Sequence, residues 1–186
     1  SRISQEIYYW AMLSGLLHGF YILSLSKAYN TQDISYVYPI ARSAPVFVPF
    51  FAWLFLEERL SPIIFLSMGI IVTAIYILHF EGHLVRGFNN MIQAMVHNDL
   101  RWAFITLVLV VSYSLVDKKA MDIFLLHFPN QPFANGITFF FLEATIGFTL
   151  CNWYLFVNHS PRKILQTWKT EWSKGLLAAI ATLVSY

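Results

Sequence analysis

Long apolar runs separated by short polar stretches dominate the chain. Five of these runs are long enough to cross a bilayer as helices, and a sixth begins near Gly175. The five runs cover residues 7–25, 34–56, 62–80, 100–116 and 133–157. The pattern therefore predicts an all-α fold, a polytopic transmembrane helix bundle. The sixth run is shorter than the roughly 20 residues of a spanning helix, so we expect the chain to be a fragment of a longer protein.

The third and fourth runs are joined by a stretch with a different pattern, residues 84–97. Its apolar residues recur at the spacing of one helical face: Phe88, Met91, Ile92, Met95 and Val96. Polar residues take the opposite face, as in an amphipathic helix that lies in the membrane interface. We expect this helix to link two halves of the protein, with a regulatory role as the alternative. The chain then divides into residues 1–80, a linker over 81–99, and residues 100–186.

The second run is unusual because it holds three prolines and an arginine: Pro39, Pro45, Pro49 and Arg42. Each proline removes an N–H and frees the carbonyl four residues earlier. In hydrocarbon those carbonyls need another partner or must line a wet cavity. An arginine at membrane depth costs about 2.5 kcal/mol or more, so it usually faces the protein interior or a pathway. We therefore expect a cavity wall, with the prolines forming a bent helix that gates.

Two charged residues of the predicted spans are candidates for substrate binding. Arg42 offers a guanidinium fork for a carboxylate or phosphate, and Tyr38 precedes it by one helical turn. As an alternative, Arg42 clamps a freed carbonyl such as that of Ala41 or pairs with an acid. Glu143 lies at the centre of the fifth run, where a carboxylate is most costly. It is expected to be protonated, paired with Arg42, a proton-coupling site, or hydrogen-bonded to Thr138 in a purely structural role.

The first run has two faces of different chemistry. Its small residues recur every four positions and predict close helix packing: Ala11, Gly15 and Gly19. The neighbouring face carries Ser14, His18 and Tyr21. His18 near mid-membrane is expected either to relay a proton or touch substrate, or to hydrogen-bond a neighbouring helix.

The fourth run ends in a polar stretch. Tyr113, between Ser112 and Ser114, is a candidate for hydrogen bonds between helices and for the substrate site. The charged residues that follow are predicted to form a cluster at the membrane interface: Asp117, Lys118 and Lys119.

Composition narrows the function classes. Hydrophobic residues make up 58% of the 186 residues and charged residues only 12%, which excludes a soluble domain. The net charge of +2 is too small to predict nucleic-acid binding. Cys151 is the single cysteine, so no disulfide framework or cysteine metal site is expected. No catalytic constellation, phosphate loop or metal-ligand spacing is present in the sequence, and we predict a protein that is not an enzyme and needs no cofactor or metal.

The first three runs together resemble the EamA-type repeat of the drug/metabolite transporter superfamily. The family's second helix carries a Ser-Pro-Val-like motif near its middle, which Ala44-Pro45-Val46 matches. The family closes that helix with Gly-Glu-Arg-Leu, which Glu58-Arg59-Leu60 matches, with Glu57 in place of the usual glycine. Residues from 100 onward resemble the opening of a second repeat. The segment Y-P-I-A-R-S-A-P, residues 38–45, is also similar to a branch of this family that is associated with phosphonate utilisation.

This resemblance implies a ten-helix protein made of two inverted five-helix repeats around a central substrate cavity. It implies a cytoplasmic start for the first run, whereas the distribution of Lys and Arg favours Ser1 outside. The function implied is a secondary transporter that moves a small metabolite by alternating access, in the inner membrane of a bacterium. A small-molecule substrate and the lipid bilayer are the expected partners, and proton coupling and a homodimer stay open. The alternative is a non-transporting membrane scaffold whose buried charges only hold helices together.

Overall fold

The computed structural model describes residues 2–31, 34–57, 59–80 and 100–185. Within these residues the chain forms seven α-helices and no strand. We number them α1 (Arg2–Thr31), α2 (Ile34–Arg42), α3 (Ala44–Leu56), α4 (Pro62–Phe80), α5 (Arg101–His127), α6 (Pro132–Asn158) and α7 (Pro161–Ser185). The all-α prediction is confirmed, and the predicted interfacial helix at 84–97 lies outside the described residues.

Several helices are longer than the apolar runs that predict them. The fourth run ends at residue 116, yet α5 continues to His127. The sixth run begins near Gly175, yet α7 begins at Pro161. The reason is that Lys, Glu and Gln are good helix formers, so a helix does not stop where the apolar run stops.

The second run forms two helices, so the prediction of one helix over residues 34–56 is wrong. The chain turns at Ser43, whose hydroxyl donates to the carbonyl of Ile40 at 2.7 Å. Pro45 lies in the first turn of α3, where a missing N–H costs nothing. The break falls at Ser43, two residues before this proline, while Pro49 stays inside α3 and Pro39 inside α2.

α1 and α5 pack antiparallel along most of their length. At one end, Ile7 and Ala11 contribute to a buried cluster with residues near the end of α5 and with α6: Ala120, Ile123, Phe124 and Phe139. Near the other end, the hydroxyls of Ser24 and Thr106 are 2.9 Å apart. Ala28 continues the contact in a cluster with Val37, Leu100 and Ala103. The polar residues between these two apolar ends are therefore buried or partly buried between the helices.

α5 also contacts α2 and α3. Ala44, the first residue of α3, is buried with Leu107 and Val111 of α5. Val48 and Phe51 pack around the same cluster. The proline-containing helices thus contact α5, and α2 also meets α1, because Val37 is buried in the cluster that contains Ala28.

The helices differ in how apolar they are. Within the described residues one helix, Pro132–Asn158, is long and apolar enough to cross a membrane, while Ala44–Leu56 and Pro62–Ala74 are shorter apolar helices. By that criterion there are fewer spans than the sequence pattern predicts, because α1 and α5 carry polar and charged residues within their length. Large apolar side chains are nevertheless exposed, among them Phe133, Phe141 and Phe148. Such a surface is unusual for a soluble monomer and typical of one covered by a partner or by lipid.

The chain separates into two compact units, Ser1–Phe148 and Thr149–Tyr186. The second contains the end of α6 and all of α7, and its described side chains are mostly exposed. In it, Lys174 Nζ lies 2.7 Å from Glu171 Oε2 in an exposed pair one turn apart on α7. The first unit contains His18, Tyr113, Asp117 and Glu143, the ionisable and aromatic residues between α1, α5 and α6.

A candidate site between three helices

The centre of the candidate site is an ion pair between α1 and α6. His18 Nδ1 lies 2.8 Å from Glu143 Oε1. The Glu143 side chain is only 8% exposed, whereas that of His18 is 33% exposed. Within the described residues neither atom has a hydrogen-bond partner, so the two atoms meet in distance but not in hydrogen-bond geometry. A buried carboxylate needs a partner, and the imidazole is the ionisable group beside it.

Glycines bring the two helices close enough for this contact. A Cβ added at Gly15 would lie 2.7 Å from the Cβ of Ile146 and 2.8 Å from the carbonyl oxygen of Glu143. From the other side, a Cβ on Gly147 would lie 3.2 Å from the Gly15 carbonyl oxygen and 3.6 Å from the Gly19 nitrogen. The residues of the predicted small-residue stripe therefore face α6, and the backbones touch. With Ala11 also fully buried, this contact positions Glu143 beside His18.

Two tyrosine rings flank the imidazole of the pair. The ring of His18 lies 4.8 Å from that of Tyr113 and 5.4 Å from that of Tyr21, measured between centroids. The two tyrosine rings are 5.6 Å apart. The structure thus brings Tyr113 of α5 to the face of α1 on which the sequence had placed His18 and Tyr21, and the group is aromatic as well as ionisable.

Asp117 also belongs to this group, although the sequence analysis assigned it to an interfacial charge cluster. The hydroxyl of Ser14, which is fully buried, donates a hydrogen bond to Asp117 Oδ1. Asp117 follows Tyr113 by one turn of α5, as His18 follows Ser14 on α1. That shared four-residue spacing was the signal in the sequence, but the end of the apolar run at residue 116 obscured it.

We call Ser14, His18, Tyr21, Tyr113, Asp117 and Glu143 the polar cluster. It contains two carboxylates and one imidazole, and no lysine or arginine. Its groups can hold and pass protons and can present rings to a substrate. Within the described residues no set of three or more His, Cys, Asp or Glu side chains is arranged to hold a metal ion.

Arg42 and Tyr38 lie outside the polar cluster. The guanidinium carbon of Arg42 is 5.5 Å from the centroid of the Tyr38 ring, and both side chains are exposed. Because Glu143 pairs with His18, the alternative in which Arg42 neutralises Glu143 does not hold in this structure. In the described structure Arg42 and Glu143 therefore have different contacts.

An open pocket of about 470 Å³ lies at the end of α3, near the polar cluster. Its lining residues come from α1, α3 and α5 and from the turn after α3: Trp10, Phe55, Leu56, Glu57, Leu115, Val116 and Lys119. Glu57 ends α3 in a left-handed conformation with φ 56°. Glycine adopts this conformation without steric cost, which explains why the family pattern has glycine at this position.

Comparison with known proteins supplies one match. The model of the EamA-like transporter family matches residues 1–80. No curated protein and no solved structure matches the chain. The matched segment holds α1 to α4, and thus His18 and Arg42, whereas Asp117 and Glu143 lie beyond it. The match covers fewer than half of the 186 residues, so residues 1–80 are similar to the EamA-like transporter family of the drug/metabolite transporter superfamily, a family of integral membrane transporters.

Proposed function

We propose that the full-length protein is a secondary transporter that moves a small molecule by alternating access, with the His18–Glu143 pair as the protonatable element of its cycle. The observation that carries this proposal is the placement of the pair. His18 belongs to the EamA-like segment and Glu143 to the segment beyond the predicted linker, and their atoms meet at 2.8 Å. In transporters built from repeats, one repeat moves against the other around the site. A bond between the two segments is therefore in a position to control that motion.

The chemistry of the pair suits such control. A buried carboxylate is tolerated while an opposite charge or a donor faces it, and protonation removes the need for that partner. Histidine is the side chain that most readily changes charge near neutral pH. We infer that a proton added to Glu143 releases His18 and allows α1 and α6 to separate, and that loss of the proton closes the contact again.

The second group, Arg42 with Tyr38, has a different role in this proposal. Its exposed guanidinium would bind an anionic group of the substrate, as the sequence predicts. The turn at Ser43, followed by Pro45, would let α2 move relative to α3 and so act as the gate. Pro39 and Pro49 would keep the two helices from straightening into one. The bacterial inner membrane, a homodimer and the phosphonate-associated branch stay predictions.

The test is transport by the full-length protein in liposomes. A pH gradient is imposed, and accumulation of a panel of labelled small metabolites, anionic ones included, is measured. We expect gradient-driven accumulation of at least one compound and its loss in Glu143→Gln. Glu171→Gln is the matched control, because Glu171 is half exposed and pairs only with Lys174 in the described structure. Accumulation that persists in Glu143→Gln would contradict the role of the pair.

A non-transporting scaffold is the second candidate. It is favoured by the tight contact at Gly15, since an ion pair beside such a contact can simply hold two helices together. This candidate predicts that Glu143→Gln lowers the melting temperature and that no metabolite of the panel raises it. If the protein is a transporter, its substrate should raise the melting temperature, because a ligand that binds the folded state stabilises it.

A further inference from the structure

We propose that Asp117 is a proton-relay residue, which carries protons between the pocket at the end of α3 and the His18–Glu143 pair. This inference rests on the proposed function, because it needs a pair that changes protonation. It extends the proposed function by one residue, Asp117, which lies outside the family-matched segment, and by a route along which protons arrive from the pocket. Three features of the structure support it, namely position, hydrogen bonding and the charges around Asp117.

The first feature is position along the two central helices. Trp10 and Val116 line the pocket. Ser14 follows Trp10 by one turn of α1, and Asp117 follows Val116 directly. One further turn along α1 reaches His18 and its contact with Glu143. On α5, Asp117 lies between Val116 and Lys119, which line the pocket, and its partner Ser14 lies one turn of α1 before His18.

The second feature is the hydrogen bond that fixes Asp117. Ser14 donates to Asp117 Oδ1, so this oxygen is held toward α1. The ring of Tyr113, one turn away on α5, contacts His18. The hydrogen bond holds the carboxylate on the side of α5 that faces α1, one turn from the tyrosine that contacts His18. Preorganisation of this kind is what makes a proton-transfer group efficient.

The third feature is the set of charged groups around Asp117. From α1 and α6, respectively, His18 and Glu143 act on it electrostatically. From its own helix, Lys118 and Lys119 follow it in sequence, and Lys119 lines the pocket. Glu57 at the end of α3 lines the same pocket. Asp117 is thus the carboxylate between the charged pocket and the buried pair.

The proposed step is a simple proton transfer in two stages. The Asp117 carboxylate takes a proton from a hydronium ion that reaches the pocket; the hydronium ion becomes water, and Asp117 becomes a neutral acid. It then gives that proton to the His18–Glu143 pair and returns to the carboxylate form. No other bond forms or breaks, and the reverse sequence returns the proton to the pocket.

The test follows carboxyl protonation directly and needs no substrate. Full-length protein in lipid nanodiscs is subjected to a rapid drop in pH, and time-resolved infrared spectroscopy follows the C=O band of protonated carboxyls. The band that disappears in Glu143→Gln reports Glu143. We expect Asp117→Asn to slow the rise of that band by about 100-fold, the lower end of what a positioned acid–base group contributes. The final amplitude is expected to stay the same.

The controls separate this proposal from the proposed function. Asp122→Asn changes an exposed acid of the same helix and is expected to leave the rate unchanged. Ser14→Ala is expected to slow the rise of the Glu143 band less than Asp117→Asn does. If Asp117→Asn does not fold, the rate in Ser14→Ala is used as the test instead. An unchanged rate in Asp117→Asn would overturn the relay and leave the role of the pair intact. If no band disappears in Glu143→Gln, both proposals are overturned.

Discussion

The polar cluster and the Arg42–Tyr38 group are similar candidates by sequence, but their surroundings in the structure differ. Each contains an ionisable residue inside an apolar run, which sequence reasoning treats as functional. The structure buries Glu143 against His18 between three helices, while Arg42 is exposed beside one aromatic ring. The difference teaches that a charge within an apolar run becomes informative only when its partner is known. A buried pair constrains two helices at once, whereas an exposed charge is free to meet a substrate, lipid or water.

The first prediction concerns the buried side of this comparison and has the largest expected effect. Replacing His18 with Ala should lower the free energy of unfolding by about 3 kcal/mol, because it leaves the Glu143 carboxylate, which is only 8% exposed, without its partner. The measurement is chemical unfolding of the full-length protein in detergent. Glu143→Ala should cost less, since the imidazole that it leaves behind is one-third exposed.

A double-mutant cycle isolates the pair itself. Combining His18→Ala with Glu143→Ala should cost clearly less than the sum of the two single changes, by about 1 kcal/mol or more. Additive effects would mean that the 2.8 Å contact between His18 and Glu143 contributes no interaction energy to stability. The pair would then differ from the exposed Arg42 in burial only.

The second prediction tests the helix contact that holds the pair. Gly15→Ala should destabilise the protein by about 2 kcal/mol, because the added methyl group would meet backbone and Cβ atoms of α6 rather than a flexible side-chain end. Gly136→Ala, on α6, is the matched control, since nothing lies within 4 Å of its added Cβ. The same unfolding measurement applies. Equal effects at the two glycines would contradict the close approach of α1 and α6.

The sequence predicted those parts of the cluster that depend on local periodicity. Ser14, His18 and Tyr21 share a face because they lie on one helix, and the small-residue stripe follows from the same spacing. The partners of those residues depend on which helices pack together, and no local pattern contains that information. For this reason the sequence left Glu143 open between several partners and assigned Asp117 to the interface.

The second run shows a similar limit. Its prolines indicated freed carbonyls and a bend, which local chemistry is sufficient to predict. The location of the break, at Ser43, depended on the serine hydroxyl bonding to Ile40 and on Ala44 packing against α5. The second of these is a tertiary contact, so the sequence could indicate a distortion but could not place it.

The third prediction concerns the end of α3, on the exposed side of the comparison. Glu57→Gly should raise the free energy of unfolding by about 1 kcal/mol, because a non-glycine residue in the left-handed conformation is strained. Thermal unfolding in detergent measures the change. Glu57→Gln is the control, since it removes the charge and keeps the strain, and it should leave stability unchanged. Stabilisation by the glutamine variant as well would assign the effect to charge instead of backbone.

The smallest expected effect is at Arg42. Because its described contact is an exposed cation–π interaction with Tyr38, Arg42→Gln should change the free energy of unfolding by only about 0.5 kcal/mol. The same substitution should reduce accumulation of an anionic substrate in liposomes, because the guanidinium fork is lost. Arg42→Lys keeps the charge and should recover part of that accumulation. A large loss of stability with unchanged transport in Arg42→Gln would reverse the comparison, since Arg42 would then have a structural role. The search for an anion site would then move to the polar cluster.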